Sequence, residues 1–360
     1  LGRELVQGTF CTPGQAGAMA LGVKNIIRAT PLEEYAPGDV IVVNDPWLLA
    51  GHLNDVCVLS PIFYKEKPVA FTACVFHHSD IGGRVSSDNR EVYEEGLFVP
   101  PVKLYDAGVL NEAVLEMIRW NVRTPEEVTG DLRSQVAANH VCAQKIVEMM
   151  TDEGLSTLDE LADEIIMRTE KSMRGAIQSI PNGIYPFEGV IEGSGKRDDI
   201  RIKLTVNVED SDIRVDFDGT APQVDWGVNV VYNFTYAYVF MAIKSAFDPD
   251  LPINEGAIRP VKMTAPEGSV VNCSFPAPVA ARMQVGHFMT DMLFRALSEA
   301  TPDHIIAGSG GTPAQTNIFY GKRNDGKPWH TMIIRGGGLG AARRQDGHHC
   351  AIFPANGANT

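Results

Sequence analysis

Two apolar runs separated by a short polar turn, residues 56–63 and 69–76, constrain the fold of this chain more than any other feature. Each run has the length and the apolar composition of a buried strand. A strand, a turn and a second strand return the chain to the place where it began. The residues just before the first run and just after the second are therefore predicted to lie side by side.

The residues at these two ends are acids and imidazoles. His52 and Asp55 precede the first run, and His77 and His78 follow the second. Imidazole and carboxylate ligands that leave room for water are typical of a catalytic zinc or manganese site. A single histidine is more often an ordinary core or surface residue, and it is the clustering that favours a metal. Because side chains alternate across a strand, His78 is the alternative to His77 as the third ligand.

The composition is that of an ordinary globular protein with an acidic surface. The formal net charge of −14 argues against nucleic acid or an anionic membrane as a partner. The six cysteines are scattered without a C-x-x-C pair, so the sequence predicts reduced thiols and a cytoplasmic location. The chain begins without methionine and ends without a closing helix or strand, and we expect it to be truncated at both ends.

Helix and strand patterns predict an α+β fold with mixed sheets, long helices and two lobes. Residues 1–124 are predicted to form the metal-site lobe with its sheet, residues 125–182 a helical connection, and residues 183–360 a mixed α/β lobe. Thr124, Pro125 and Glu127 form a helix-start pattern, with Thr124 as the N-cap. The other predicted elements are helices at 15–29, 111–122, 158–180, 228–247 and 279–299, and strands at 39–43, 184–191, 200–208, 213–217, 316–320 and 330–335.

Two glycine-rich segments, residues 308–312 and 336–340, invite a phosphate-binding interpretation. Their backbone amides can bind anions, and Arg335 directly precedes the second segment. Neither segment matches a nucleotide phosphate loop or a dinucleotide fingerprint, and glycine clusters are more often tight turns. Any ATP is therefore expected to bind a partner subunit rather than this chain. Arg282, Arg335, Gly310 and Gly311 remain candidates for receiving a phosphorylated intermediate.

Several ordered segments resemble the hydantoinase B family. They are Gly38-Asp39-Val40, Asn44-Asp45-Pro46, the segments that hold His52, Asp55 and His77, and residues 95–104, 121–125, 130–133, 264–269 and 275–278. The family includes B subunits of N-methylhydantoinases, the C-terminal half of 5-oxoprolinases, and related ketone carboxylase subunits. The resemblance covers nearly the whole chain, and it is specific for the family without being specific for a substrate.

The resemblance implies a divalent metal held by His52, Asp55 and His77, with a further carboxylate that would lie ahead of Leu1. Asp45 and Asp80 are then the candidate catalytic residues. They would either accept hydrogen bonds from the two histidine ligands and orient them, or one of them would serve as the general base.

The resemblance also implies the activity and the partner. A hydantoinase A-type ATPase subunit would phosphorylate a lactam or enol oxygen, and this chain would complete the reaction at its metal in a hetero-oligomer. The first expectation is the metal-dependent subunit of an ATP-dependent cyclic amide hydrolase of hydantoinase or oxoprolinase type. The alternative is a subunit of an acetone or acetophenone carboxylase, which Trp47 favours. A third expectation is a non-catalytic scaffold that docks the ATPase.

Overall fold

The computed structural model describes residues 2–8, 13–193, 195, 197–309, 315–335 and 337–349. Its helices and mixed sheets confirm the predicted α+β class. Most predicted elements are present within a few residues of their expected bounds. The predictions for Gly310 and Gly311 concern residues outside the described ones.

The first sheet contains the predicted hairpin. Its strands are β1 (Val40–Val43), β2 (Asp55–Tyr64), β3 (Lys67–His77), β4 (Val102–Asp106) and β5 (Val109–Leu110). They are ordered β3-β2-β1-β4-β5, and all neighbours are antiparallel. β2 is buried over most of its length, as predicted. β3 is mostly half-buried or exposed, so its predicted burial is wrong, because it lies at the edge of the sheet.

The first sheet has helices on both faces, which explains its unbroken apolar runs. The helices that pack on this sheet are α1 (Ala18–Ala29), α2 (Glu112–Asn121) and α3 (Pro125–Asp152), and α4 (Asp159–Ile177) follows them in the chain. Val40 and Val42 of β1 pack in a core with α2 and α3, whereas Ile41 and Val43 pack in a second core with α1. Thr124 is the N-cap residue of α3, as predicted, although its side chain makes no capping bond within the described residues.

The second half forms another sheet packed against helices. Strands β6 (Gly183–Ile191), β7 (Ile200–Glu209) and β8 (Asp212–Asp216) form the predicted antiparallel meander. β9 (Val261–Thr264) pairs in parallel with β8 and forms the edge of this sheet; the sequence did not predict this strand. Helices α5 (Tyr232–Phe247) and α6 (Glu255–Ile258) lie between β8 and β9 in the chain, and α7 (Met283–Leu297) follows β9. β10 (Gln315–Lys322) and β11 (Pro328–Arg335) form a separate two-stranded antiparallel sheet.

The cores bear on the predicted three-part organisation. Val128 and Leu132 of α3 belong to a core of the first sheet, whereas Met173 and Ile177 of α4 belong to the large core of the second half. The two helices of the predicted connection therefore pack on different cores. The boundaries at residues 124 and 182 stay predictions. Across the part of the chain that the structure describes, no helix is both long enough and apolar enough to cross a membrane.

Candidate metal centre

The β2–β3 hairpin brings the first and last residues of the two strands together. Asp55 begins β2 and His77 ends β3, and the two residues are direct partners in the antiparallel register. His52 lies three residues before Asp55, and its carbonyl accepts the Asp55 N–H at 2.9 Å. This turn folds the His52 side chain back over the end of the hairpin. The juxtaposition that the sequence predicts is present.

His52, Asp55 and His77 each offer a ligand atom, and these atoms all lie within 4.8 Å of one another. The imidazole rings of His52 and His77 have centroids 4.9 Å apart, and His52 Nε2 lies 3.8 Å from Asp55 Oδ2. His52 and Asp55 are buried, whereas His77 is exposed. The His52–Asp55–His77 cluster therefore has a closed side and an open side, as a catalytic site requires.

His52 is the residue that most needs a further partner. The residue is 3% exposed, and neither ring nitrogen has a hydrogen-bond partner among the described residues. Burial, with contributions from Arg282 and His77, lowers the pKa of His52 well below its usual value. The ring is therefore neutral at pH 7, so its 3.8 Å approach to Asp55 is not an ion pair. A neutral imidazole with an unpaired buried nitrogen fits a divalent cation.

Arg282 contacts the cluster directly, and the sequence did not predict this contact. Its Nη2 donates to Asp55 Oδ2 at 2.8 Å, and both side chains are buried. The guanidinium also lies 4.8 Å from the centroid of the Phe234 ring. Burial lowers the pKa of Arg282, and the Asp55 carboxylate opposes that shift. From the sequence, Arg282 was a candidate only for phosphate binding, because no local sequence pattern indicates a contact between residues 227 positions apart.

Gly51 makes the close packing around Asp55 possible. It has a φ of +97°, and a Cβ atom on it would overlap Asp55 Oδ2. The same oxygen accepts the His52 N–H at 3.2 Å. Only glycine satisfies both the backbone conformation and the space here. Its position directly before His52 was a usable signal that the sequence analysis did not interpret.

His78, the alternative ligand, faces a different neighbour. Its Nε2 lies 2.9 Å from the Gln135 side-chain oxygen on α3, and Gln135 also donates to the carbonyls of Val56 and Cys74. His78 and Asn54 exchange two further bonds, from His78 N and from Asn54 Nδ2. His78 is fully buried, and burial lowers its pKa. These contacts make His78 a bridge between the hairpin and α3.

Asp45 and Asp80 have hydrogen-bond partners outside the cluster. Asp45 accepts the N–H groups of Trp47 and Leu48, at 2.8 and 3.4 Å. Asp80 accepts the Gly82 N–H at 3.1 Å and pairs with the Arg123 guanidinium at 2.6 Å.

The expectation that Asp45 or Asp80 orients His52 through a hydrogen bond is wrong, because both His52 nitrogens are unpaired among the described residues. The two carboxylates instead stabilise the turns in which they lie. A catalytic role for either of them stays a prediction.

The residues predicted to receive phosphate are only partly placed. Arg282 lies beside the cluster, whereas Arg335 is the last residue of β11, where its backbone pairs with Gln315. Gly310 and Gly311 lie outside the described residues. The structure therefore brings one of the four to the cluster, and the phosphate role itself stays a prediction.

A cavity of about 690 Å³ lies elsewhere, between the first sheet and the C-terminal half of α3. Its β2 lining begins at Ser60. Asp55 lies five residues earlier on the same strand, roughly 16 Å away at the rise of an extended chain. The cavity is therefore separate from the His52–Asp55–His77 cluster.

Comparison with known families and relatives gives one consistent result. The profile of the hydantoinase B/oxoprolinase family matches residues 2–360. A Pseudomonas protein, named provisionally as the B subunit of a D-/L-hydantoinase, is 34% identical over 365 residues, which cover 96% of this chain and 61% of that protein.

Two solved structures share the architecture. The ATP-dependent caprolactamase of Pseudomonas jessenii superposes with a TM-score of 0.89 at 27% identity, over 97% of this chain and 61% of that one. A nucleotide-free acetone carboxylase superposes with a TM-score of 0.84 at 17% identity, over 97% of this chain and 50% of that one, which shows a shared fold. The chain spans about 61% of the hydantoinase and caprolactamase relatives.

Proposed function

The chain belongs to the hydantoinase B/oxoprolinase family, and we propose that it is the metal-dependent catalytic part of an ATP-dependent cyclic amide hydrolase. The observation that carries the proposal is the His52–Asp55–His77 cluster, whose ligand atoms lie within 4.8 Å of one another. The unpaired, buried nitrogens of His52 support a bound cation rather than a hydrogen-bonded core. The names of the relatives, a hydantoinase and a caprolactamase, support a cyclic amide as substrate.

In this proposal His52, Asp55 and His77 hold one divalent cation, zinc or manganese. When bound, such a cation supplies a Lewis acid and lowers the pKa of a coordinated water towards about 7. The chain's own groups do the rest. His52, already neutral, can ligate without losing a proton. His77 lies on the exposed side, where a substrate can approach.

Arg282 contributes a buried positive charge next to the cluster. It holds the Asp55 carboxylate at 2.8 Å, and its Nε is buried without a hydrogen-bond partner among the described residues. A free donor at that place suits an anionic oxygen, either of an opened amide or of a phosphorylated intermediate. Arg335, Gly310 and Gly311 complete the phosphate-binding part of the proposal on the sequence evidence alone.

Asp45 is the candidate general base. Burial raises its pKa, and the amides of Trp47 and Leu48 oppose that shift. A raised pKa brings a carboxylate closer to the operating pH, which favours proton transfer. Asp80 is a weaker candidate in the same proposal, because the Arg123 guanidinium already pairs with it.

The proposal assigns ATP to a partner subunit. The Pseudomonas relative is named as the B subunit of a hydantoinase, and the caprolactamase of Pseudomonas jessenii is named as ATP-dependent. The chain has no nucleotide phosphate loop motif in its sequence, and its formal net charge of −14 would repel a nucleotide. A hetero-oligomer with an ATPase subunit of hydantoinase A type follows from this division of labour.

Ketone carboxylation is the second candidate, and Trp47 is the residue that favours it. Its indole N–H donates to the Cys273 carbonyl at 2.8 Å, and its ring contacts Phe275 edge-on. Trp47 thus lies where the two halves of the chain meet, five residues before His52. The two candidates differ in the second reactant, which is water for the hydrolase and a bicarbonate-derived carbon for the carboxylase.

The test uses the full-length protein purified with its ATPase partner. Cyclic amides (hydantoin, 5-oxoproline and caprolactam) are supplied with ATP in one assay, and acetone or acetophenone with ATP and labelled bicarbonate in the other. We expect ATP-dependent ring opening that is lost in Asp55→Asn. Label fixed into a 3-keto acid, with no ring opened, would replace the first proposal by the second. ATP turnover without either product would favour a scaffold.

A further inference from the structure

Glu95 is a buried carboxylate to which neither the sequence analysis nor the proposed function gives a task. It is 2% exposed and directly follows a short 3₁₀ turn at Val92–Glu94 in the first half of the chain. Burying a carboxylate is costly unless its oxygens are satisfied. The partners of Glu95 therefore indicate what its burial provides.

Those partners lie in the second half of the chain. Oε1 of Glu95 accepts two backbone bonds, from Val279 N at 2.6 Å and from Ala280 N at 2.8 Å. Both residues belong to the segment that leads into α7, whose N-cap is Arg282. Arg282 N in turn donates to the Val279 carbonyl at 3.1 Å. One carboxylate oxygen thus binds the turn that carries Arg282.

The 276–282 segment has further anchors on both sides. Val92 N, from the first half, donates to the Pro276 carbonyl at 3.0 Å. From the second half, Asn229 Nδ2 donates to the Pro278 carbonyl at 3.0 Å, and Gly227 accepts from Ala281 N. The segment therefore lies between the two halves, and Glu95 binds its backbone from the side of the first sheet.

We infer that Glu95 is a positioning residue, which fixes the 276–282 segment so that Arg282 reaches Asp55 and holds it in the His52–Asp55–His77 cluster. The inference deepens the proposed function and rests on it. The route is short: Glu95 binds Val279 and Ala280, and two residues later Arg282 donates to Asp55 Oδ2. Groups that orient metal ligands in this indirect way commonly affect metal affinity.

The electrostatics of Glu95 agree with such a role. Burial raises its pKa to about 7, while the Ala280 and Val279 amides and the positive charge of Arg282 oppose that rise. Oε2 is buried without a hydrogen-bond partner among the described residues, and so is Oδ1 of the neighbouring Asn89. In either protonation state, Glu95 Oε1 can accept the hydrogen bonds from the Val279 and Ala280 N–H groups.

The first experiment measures metal affinity by titrating the metal-free full-length protein with Zn²⁺ and with Mn²⁺. Glu95→Ala removes the acceptor, and we expect it to weaken binding by about tenfold or more. Glu95→Gln keeps an acceptor oxygen in the same place, and we expect it to restore affinity to within about threefold of wild type. This rescue separates positioning from a general loss of packing.

Asp39→Asn is the matched control. Asp39 is also buried and also accepts two backbone bonds, from Ala36 N and Ala107 N at 2.8 Å, but it lies next to Lys103 at the other end of β1. We expect Asp39→Asn to lower the thermal stability and leave metal affinity unchanged. If Glu95→Ala also leaves the affinity of a metal-binding protein unchanged, the inference is wrong.

A second measurement decides the inference without metal. A double-mutant cycle combines Glu95→Ala with Arg282→Met and follows the unfolding equilibrium constant of the metal-free protein. We expect the two changes to be non-additive by roughly fivefold or more, and Glu95→Ala with Asp39→Asn to be additive. Absence of metal from the wild-type protein overturns the proposed function alone. Additivity of Glu95→Ala with Arg282→Met overturns the positioning role.

Discussion

Asp55 and Arg282 lie 227 residues apart in the chain and form a buried ion pair, with Arg282 Nη2 at 2.8 Å from Asp55 Oδ2. Asp55 comes from the hairpin of the first sheet, and Arg282 is the N-cap residue of α7. The pair therefore joins the two halves of the chain at the His52–Asp55–His77 cluster. The geometry of the site therefore depends on both halves.

Arg282→Met is expected to destabilise the protein by about 3–5 kcal/mol, because it leaves the Asp55 carboxylate buried without its counter-charge. The measurement is the free energy of unfolding in urea. Arg343→Met is the matched control, since Arg343 pairs with Asp303 at 3.0 Å on the surface. The control should cost less than about 1 kcal/mol. Equal, small losses for both variants would show that the Asp55–Arg282 pair is not significant for stability.

Gly51→Ala is expected to disrupt the cluster directly. The new Cβ would overlap Asp55 Oδ2, in addition to the strain of a positive φ. Gly154→Ala is the control, because Gly154 has a φ of +65° and open space around it. The control should cost about 1–2 kcal/mol from the backbone alone. Gly51→Ala should cost more and should also release metal, as followed by metal analysis and thermal unfolding.

His78→Ala is expected to lower stability without removing metal. The substitution deprives Gln135 of its 2.9 Å partner between β3 and α3, at a cost of about 1–3 kcal/mol. Gln135→Ala should produce a larger loss, since it breaks the same contact and also removes the bonds that Gln135 donates to the Val56 and Cys74 carbonyls. Metal content that falls in His78→Ala would instead transfer the third ligand position from His77 to His78.

Glu4→Gln is expected to change how stability depends on pH. Burial, with the negative charge of Glu255, raises the pKa of Glu4 to about 7, while Lys24 opposes the shift. A carboxyl with a raised pKa binds more protons in the folded state, so wild type loses stability as the pH rises from about 4.5 to 7. The variant lacks this loss, which is on the order of 1–3 kcal/mol.

The measurement for Glu4→Gln is the difference in unfolding free energy between variant and wild type at pH values from about 4 to 8. The difference should grow in favour of Glu4→Gln as the pH rises through this window. A difference that stays constant would contradict the raised pKa.

The local part of the site could be predicted from the sequence because the hairpin is local. Residues 56–63 and 69–76 have strand character, so a hairpin that brings Asp55 beside the end of the second strand could be predicted. The exact pairing could not, because the pairing of Tyr64 with Lys67 at the turn would place Asp55 opposite Phe76. A register shift between Ile62 and Phe63 moves the pairing by one residue, to His77. The choice of His77 over His78 depended on which face each side chain takes. The α3 residue Gln135, far along the chain, is the partner that holds His78 on the other face.

The long-range part of the site could not be predicted in the same way. Arg282 reaches Asp55, and Glu95 reaches the 276–282 segment, only through the packing of the two halves, and neither residue has a local pattern that indicates its partner. The burial of β3 was overestimated because an apolar run does not reveal whether its strand lies at an edge. Thr124 shows that a capping sequence does not ensure a capping bond.

The most direct test of the central claim is the metal content of the full-length protein and of two variants, His52→Ala and His77→Ala. Our account predicts about one zinc or manganese ion per wild-type chain, and loss of that ion in both variants at preserved secondary structure. His78→Ala, measured beside them, should keep its metal. Full metal content in His52→Ala and His77→Ala would contradict the assignment of the His52–Asp55–His77 cluster as a metal centre.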